Sequence, residues 1–497
     1  MFDFLNNIEL HRIVDILLYD PKLPLLFNTG LFLILFLIFI VIYHGLHRQF
    51  TLKLLVTILF SLYFYYKSSA ECCLLLLGIC FSDYLLGRWL GATSGDRKRR
   101  MIVALNIVLN IGMLVYFKYF NLLARTWAEI RQGDFDAFDI ILPAGISFIT
   151  FRSISYIVDV YRRDMEPEKN LLHYIFFLTF FPPLLAGPVV RAKDMLPQIK
   201  KKPVPDKQMI SEGLFLIMTG MVKKVIVADF ISDNFVNIIF DNPSLYTGFE
   251  NLLGCIGFTV QLYCDFSGYS DIAIGIALLM GYRFLDNFRA PFKAQNPSEF
   301  WRRWHISLST WLRDYLYIPM GGSRKGKFRT YINNFLTMVI GGLWHGAGWM
   351  YLLWGAYHGV LLAIHKALKK VWKVPDSLKG TTALRVLNIF LTFTLVVIGF
   401  TIFRADSLET LGAIGQQIFG DFHLSVAPQF VESYLLIVLA IIGALFIHFT
   451  PRSWTTGFST AYSATNIVLQ GVLLALILFF VIQARSSDIV PFIYLQY

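Results

Sequence analysis

The sequence predicts an all-α protein that crosses a membrane many times, with about 11–12 transmembrane helices plus shorter re-entrant and interfacial helices. Three observations lead to this fold class. Of 497 residues, 56% are hydrophobic and only 15% are charged, whereas a soluble domain has about 25% charged residues. Apolar runs of the roughly 20 residues that span a bilayer recur along the chain. Basic residues gather in the short loops between these runs, which is typical of cytoplasmic loops.

The apolar runs define the candidate spans. Their ends are approximate: 26–46, 52–67, 69–90, 101–123, 141–161, 209–230, 251–281, 331–349, 350–366, 384–403, 432–449 and 465–483. The net charge is +11. In a soluble protein this would suggest nucleic acid, but the basic loops explain it here, and we expect membrane lipids and no nucleic acid as partners.

Two segments differ from a simple row of spans. Residues 1–22 carry apolar side chains at helical spacing among charged ones, which favours an amphipathic helix in the membrane interface. Residues 171–190 are apolar with basic flanks, but Pro182 and Pro183 interrupt them. Because proline breaks a helix, we expect a re-entrant segment that enters from the cytoplasmic side. Irregular backbone at that depth must be buried in protein or line a cavity. With this re-entrant segment, the basic loops and the more acidic loops alternate across the membrane. We therefore expect both termini to lie outside.

Polar residues interrupt the predicted span 251–281. They are Gln261, Asp265, Ser267 and Asp271. Two interpretations stay open. The carboxylates could pair with arginines of residues 296–346 across a kink at Gly268, or they could line a cavity.

The stretch 296–346 is polar and basic although its neighbours are apolar, and His305 and His345 bracket its centre and end. Ionisable residues at membrane depth usually mark a pathway or a reaction site. Asn296 is a good N-cap, and Pro297 suits the first helical position. These signals predict a helix over 297–317, with His305 on its apolar face.

A glycine-rich basic turn at 321–329 leads into the predicted span 331–349, where Gly341 and Gly342 precede His345. Paired glycines let another backbone approach a membrane helix. Histidine can take and return a proton near neutral pH. His358 lies in a similar run and is a rival candidate. Each of these histidines could instead be a buried residue with one structural hydrogen bond, and the residues alone leave that choice open.

These motifs resemble those of the membrane-bound O-acyltransferase family, in particular its bacterial branch of alginate O-acetyltransferase membrane subunits and D-alanyl-lipoteichoic-acid transferases. The resemblance rests chiefly on 300–317 and 341–347, with further matches at 142–148, 186–188, 263–275 and 491–497. It implies one membrane-embedded acyltransferase domain over 1–497, with helices around a central funnel and a catalytic core region at 141–366.

The resemblance also implies an enzyme and its site residues. The invariant histidine of the family corresponds to His345. A second position, asparagine in many eukaryotic members and histidine in the bacterial branch, corresponds to His305. His345 would be the general base on a hydroxyl, and His305 would hydrogen-bond the acyl carbonyl or steady the developing charge. The expected substrate-binding residues are Arg302, Arg313, Trp304, Trp344, Asp314, Arg324 and Lys325. The basic turn also fits an ordinary cytoplasmic loop, and both interpretations stay open.

The implied reaction moves an acyl group, with acetyl as the expected one, from a cytoplasmic thioester to a hydroxyl of an extracytoplasmic polysaccharide such as alginate, or of a partner protein. The expected donor is acetyl-coenzyme A or an acyl carrier protein thioester, with no bound cofactor and no metal. The expected location is the bacterial cytoplasmic (inner) membrane, beside an SGNH-hydrolase-like acetyltransferase. Two other functions stay open: a polytopic transporter, although no inverted repeat is evident, and a non-catalytic scaffold for exopolysaccharide export.

Overall fold

The computed structural model describes residues 10–371, 375, 377, 378, 380–484 and 492. Within these residues the chain is helical and contains no β-strand. The α-helices are Leu10–Leu17, Gly30–Gly45, Phe50–Ser69, Cys73–Ala92, Asp96–Leu114, Phe120–Ile130, Ile146–Arg162, Leu171–Thr179, Ala192–Lys200, Lys207–Met221, Asn237–Asp241, Gly248–Leu279, Pro297–Arg303, Ile306–Leu312, Lys327–His345, Trp349–Val371, Thr382–Arg404, Leu408–Gly420, Ala427–Ser433, Leu435–Phe449, Arg452–Ala464 and Ile467–Ala484. Wider π-helical turns occur at Val115–Tyr119, Val222–Asp229, Ser232–Val236 and Arg313–Tyr317.

The helices follow the predicted spans closely, so the all-helical membrane fold is confirmed. Four stretches of the described residues are long and apolar enough to cross a membrane: Phe50–Ala92, Asp96–Ile130, Gly248–Leu279 and Thr382–Arg404. Two sharply bent helix pairs near the C-terminus bring this to six if each pair is one span. The other predicted spans form helices that are shorter or more polar, so 11–12 crossings stay a prediction.

The N-terminal prediction falls partly outside the described residues, because residues 1–9 are not among them. Leu10–Leu17 forms the expected helix. Its place in the membrane interface stays a prediction.

The chain divides into two compact units. Of the described residues, the first contains 10–213 and 273–284. In it, Ile146–Arg162 packs against Cys73–Ala92 and Asp96–Leu114. A buried carboxylate joins these helices: Asp83 accepts hydrogen bonds from Asn106 Nδ2 (2.7 Å) and from Tyr174 Oη (3.0 Å). Buried polar groups need such partners, since an unpaired one costs about 1–3 kcal/mol.

The proline-containing segment also lies in this first unit. The helix Leu171–Thr179 ends just before Pro182, and irregular backbone follows up to Arg191. The Phe181 side chain is fully buried, and its ring contacts the rings of Phe39 and Phe60 at 5.7 and 5.0 Å between centroids. The irregular backbone is therefore enclosed in protein, as the sequence predicts. The side from which it enters the membrane stays a prediction.

The second unit contains the described residues of 214–272 and 285–484, together with residue 492. Its main feature is the helical hairpin of Lys327–His345 and Trp349–Val371. Three glycines allow the two backbones to approach. A Cβ on Gly355 would lie 2.5 Å from the Met338 carbonyl oxygen, and Gly342 and Gly359 are equally crowded. The predicted backbone approach is confirmed for Gly342, which faces Gly355 across the hairpin, whereas a Cβ on Gly341 would meet the Leu312 side chain at 3.1 Å.

The two carboxylates of Gly248–Leu279 pair with lysines, which corrects the interpretation that they pair with arginines of 296–346. Lys223 Nζ lies 2.6 Å from Asp271 Oδ2, and Lys224 Nζ lies 2.5 Å from Asp265 Oδ1. Lys224 also contacts Asp229 at 2.7 Å. Sequence reasoning missed these partners because adjacent lysines on a regular helix would diverge, whereas the π-helical turn Val222–Asp229 changes their direction.

A close helix crossing lies beside these pairs. The helix stays continuous through Gly268, where a kink was expected. A Cβ on Gly220 would lie 2.6 Å from the Gly268 carbonyl oxygen, and a Cβ on Gly268 would lie 2.8 Å from the Gly220 carbonyl oxygen. Small residues at this crossing therefore allow the lysines and the aspartates to meet.

We expect Gly220→Ala to lower the stability of the folded protein by about 1–3 kcal/mol, because the methyl group would push the two backbones apart. Gly112→Ala is the matched control: nothing lies within 4 Å of its added Cβ. In a helix, that change is neutral or stabilising by up to about 1 kcal/mol. Thermal unfolding of the two purified variants in detergent checks this, and equal melting temperatures would contradict the close crossing.

Candidate active site

His305 lies at a break between two helices, which corrects the predicted continuous helix 297–317. The N-terminal part of the prediction is right: Asn296 Oδ1 accepts a hydrogen bond from the Glu299 backbone N–H at 2.9 Å, and Pro297 is the first helical residue. The helix then ends at Arg303, and His305 adopts a left-handed conformation with φ 42° and ψ 56°. Its side chain therefore does not project from a helix face. Non-glycine residues in this conformation are uncommon and concentrate at functional sites.

The break is held by a loop that precedes the helix. The backbone N–H of Ile306 donates to the carbonyl oxygen of Asn287 at 2.9 Å, and the backbone N–H of Arg289 donates to the carbonyl oxygen of Arg303 at 2.9 Å. These bonds replace helical bonds that residues 303–306 would otherwise make. Tertiary hydrogen bonds thus override the local helix propensity, and a local sequence pattern does not reveal them.

The Asn287 side chain orients the imidazole of His305. Its Oδ1 lies 3.1 Å from His305 Nδ1 and accepts from the Ser307 backbone N–H (3.2 Å) and hydroxyl (2.8 Å). Its Nδ2 donates to Ser270 Oγ at 3.1 Å. Because a backbone N–H can only donate, the atom that faces Ser307 and His305 is the amide oxygen. Nδ1 of His305 therefore carries a hydrogen, and in the neutral ring Nε2 is an acceptor.

The surroundings of His305 keep that ring neutral. The side chain is fully buried, and the Phe266 ring meets it edge-on at 4.6 Å between centroids. Burial disfavours the charged form and lowers the pKa of His305 to about 3. At physiological pH, His305 therefore holds one proton, on Nδ1, and can accept another only if the resulting charge is stabilised.

His345 is the last residue of the helix Lys327–His345 and lies in an aromatic cage. Its ring contacts Trp344, Trp354 and Phe403 at centroid distances of 5.0, 4.9 and 5.4 Å, and it is 4% exposed. The carbonyl end of a helix carries partial negative charge, which stabilises a cation beside it. The chain then turns at Gly346, where Tyr351 leaves no room for a side chain.

Trp344 joins the two histidines. Its ring lies 5.9 Å from that of His305 and 5.0 Å from that of His345. The rival, His358, is enclosed by aromatic rings: Phe300 stacks on it at 6.3 Å, and Trp301 meets it edge-on at 5.1 Å. His358 therefore belongs to the aromatic core, one ring away from His345 through Trp354.

Of the predicted substrate-binding residues, only Trp344 has ring contacts with both histidines. Trp304 is 1% exposed and packs among Phe288, Phe300 and Phe400. It thus has a core-packing role, and the resemblance gave no means of separating it from Trp344.

The predicted charged residues lie at the surface. Arg302, Arg313, Arg324 and Lys325 are exposed. Arg313 Nε bonds Asp314 Oδ1 at 2.7 Å, and Arg302 interacts electrostatically with His365. They do not belong to the buried histidine site, and their role toward a donor stays a prediction. In the part of the chain that the structure describes, no three His, Cys, Asp or Glu side chains are grouped so that they could hold a metal ion.

Asn287, Ser270 and Ser307 are the residues that sequence reasoning missed. Asn287 lies in the loop after Gly248–Leu279, 18 positions before His305. A lone asparagine in a loop is normally a turn residue. Its near-complete burial, 1% exposed, could not be read from the sequence.

Comparison with known proteins identifies the class. The model of the membrane-bound O-acyltransferase family matches residues 167–397, which include both histidines and Asn287. The chain belongs to this family, and it is a multi-pass membrane acyltransferase.

Three bacterial relatives illustrate the similarity. The chain is 36% identical to a probable alginate O-acetylase of Pseudomonas putida, over 95% of this chain and 100% of that protein. It is 43% identical to a probable alginate O-acetylase of Pseudomonas aeruginosa, over 81% of this chain and 76% of that protein. It is 34% identical to a peptidoglycan O-acetyltransferase of Helicobacter pylori, over 78% of each.

We expect Asn287→Asp to change the pH dependence of acyl transfer. A carboxylate at Nδ1 favours the imidazolium form and raises the pKa of His305, by about 1–3 units for a close opposite charge. If a neutral His305 is required, the acid limb of the pH–rate profile moves to higher pH. Acyl transfer from a thioester donor, followed in membrane preparations between pH 4.5 and 9, measures this change.

Asn287→Ala is the matched control, because it removes the hydrogen bonds to His305 and Ser307 that the carboxylate would keep, and it adds no charge. We expect it to lower kcat without the upward shift of the acid limb. Identical pH profiles for Asn287→Asp and the parent protein would contradict the positioning role of Asn287.

Proposed function

We propose that this protein transfers an acetyl group from a cytoplasmic thioester to a hydroxyl that is presented from the other side of the membrane. Family membership supports the acyltransferase class, and the buried pair of His305 and His345 beside Trp344 is the observation that carries the proposal. Because the chain belongs to an acyltransferase family, we prefer an enzyme to the two other functions that the sequence left open, a transporter and a scaffold.

His345 is the proposed general base. It takes the hydrogen of the attacking hydroxyl while the oxygen forms a bond to the thioester carbonyl carbon. The carbon–sulfur bond then breaks, and the proton goes to the leaving thiolate. The carbonyl end of the helix Lys327–His345 stabilises the imidazolium that forms in between. A general base of this kind contributes about 10²–10⁴-fold to the rate.

His305 has a different proposed role from the one implied by the resemblance. In its neutral form Nε2 accepts hydrogen bonds, so it cannot donate one to the acyl carbonyl. We therefore assign His305 to positioning the acceptor substrate, with Nδ1–H anchored on Asn287 at 3.1 Å and Nε2 accepting a hydrogen bond from a second donor group of that substrate, because the one hydrogen of the attacking hydroxyl goes to His345. A histidine held by an asparagine oxygen also occurs in Cys-His-Asn catalytic sites.

The donor is acetyl-coenzyme A or an acyl carrier protein thioester. Arg302, Arg313, Arg324 and Lys325 are exposed and basic. Exposed cations of this kind suit the phosphates of coenzyme A or the acidic surface of a carrier protein. Trp344 supplies an apolar wall for the acyl group, and Asp314 sets the direction of Arg313.

The acceptor is an extracytoplasmic polysaccharide or a protein that passes the acetyl group to one. The relatives are named for alginate and for peptidoglycan, and these are the two proposed polymer classes. The proposed location is the bacterial cytoplasmic membrane, and the proposed partner is an SGNH-hydrolase-like acetyltransferase.

We expect His345→Ala to lower acyl transfer by about 10²-fold or more, because the proposed base is removed. Acetyl content of the surface polysaccharide, measured by mass spectrometry at matched protein level, tests this in cells. His423→Ala is the control, since His423 is exposed and bonded to Asp421 outside the site. Normal acetylation with His345→Ala would contradict the proposed mechanism.

We expect Arg302→Gln to raise the KM for acetyl-coenzyme A about two- to fivefold and to leave kcat nearly unchanged, as for one solvent-screened charge contact worth roughly 0.5–1 kcal/mol. Arg97→Gln, at an exposed arginine elsewhere, is the matched control. The effect should disappear at high salt. A lower kcat with the same KM would instead place Arg302 in the chemical step.

A further inference from the structure

A cationic cavity lies in the first unit, and none of its lining residues belongs to the histidine site. Its volume is about 750 Å³, and it opens on the surface. Two basic stretches far apart in sequence form its walls, and both belong to loops predicted to be cytoplasmic. The basic lining residues are His47, Arg48, Lys53, His173, Lys200 and Lys202, and no carboxylate lines the cavity.

The cavity also receives the start of a helix. The first turn of Phe50–Ser69 lines it, and the preceding residue, Gln49, makes no side-chain cap. The first N–H groups of a helix have no partner within the helix and carry partial positive charge. An anion is stabilised at such a position.

Lys53 gives independent evidence for a ligand. It is 4% exposed, yet it lines the cavity. Its ammonium lies over the Tyr43 ring at 3.9 Å. Among the described residues no carboxylate forms an ion pair with Lys53. A positive charge on a mostly buried side chain without a carboxylate partner is stabilised by a bound anion, so the position of Lys53 points to an anion in the cavity.

The carboxylate beside the cavity pairs with residues other than Lys53. Glu168 lies beside the cavity, 2.8 Å from Lys200 and 3.6 Å from His173. Burial favours its neutral form, but hydrogen bonds from Lys200 and from the Asn170 backbone N–H outweigh burial and lower the pKa of Glu168. This ionised carboxylate balances Lys200. The charges of Arg48, Lys53 and Lys202 remain in excess.

We propose that this cavity binds the phosphate of an acidic phospholipid. Apolar side chains border the cationic lining: Leu52, Leu55 and Val204 are 42%, 41% and 69% exposed. Phe50 begins a candidate membrane span, so its first turn lies at the membrane surface. Exposed apolar side chains next to buried positive charge suit a headgroup that remains attached to acyl chains, and basic pockets at the cytoplasmic ends of helices bind such lipids.

Native mass spectrometry of the whole protein tests the proposal. Protein is released from nanodiscs of phosphatidylcholine that contain one-fifth phosphatidylglycerol. We expect bound phosphatidylglycerol on the parent protein and about fivefold lower occupancy for Lys53→Met and for Arg48→Gln, as one basic contact is lost in each. Arg48 is exposed, so its variant tests the site even if Lys53→Met folds poorly.

Arg97→Gln, in a separate exposed basic cluster, should retain the lipid. Equal occupancy in all variants would overturn the site. Soluble 3′,5′-adenosine diphosphate and inorganic phosphate form the second arm, measured by thermal stabilisation. If either of these stabilises the parent protein through Lys53 and Arg48 while phosphatidylglycerol does not, the lipid assignment is wrong.

Discussion

The amide oxygen of Asn287 is the contact on which the histidine site depends. It meets the Nδ1 of His305 and two groups of Ser307, and the Asn287 backbone holds Ile306. Without these bonds, residues 303–306 would continue as helix, and His305 would point elsewhere. The Asn287 backbone carbonyl therefore helps to hold the break, and the Asn287 side chain sets the ring orientation and the tautomer of His305. Buried polar networks of this kind favour one conformation because each unmet group is costly.

Glycine contacts place the second histidine. The hairpin Lys327–His345 and Trp349–Val371 closes where Gly342 and Gly355 meet, and the aromatic rings around His345 come from both helices and from Phe403. The positions of the rings around His345 therefore depend on the close approach of the two helix backbones. Trp344 then connects this cage to His305. The candidate site therefore depends on two features, the close helix contact in the hairpin and the helix break at His305.

The sequence predicts most of the helices, because apolar runs, prolines and glycines act locally. Pro182 and Pro183 indicate irregular backbone, and Asn296 indicates a helix start; both are confirmed. The failures have a different origin. The break at His305 depends on Asn287, 18 residues earlier, and Asp271 pairs with Lys223, 48 residues earlier. No local pattern encodes such partners. The resemblance predicts both histidines as site residues, but it could not reveal how each ring is held.

The left-handed backbone at residue 305 limits which amino acids evolution can place there. β-branched and bulky apolar residues are strained at φ 42°, whereas asparagine, aspartate and histidine tolerate this region. Through the resemblance, the corresponding position is asparagine in many eukaryotic relatives and histidine in the bacterial branch. The two residue types share this backbone tolerance and a polar side chain. Replacement of one of these residue types by the other therefore need not change the backbone turn at this position.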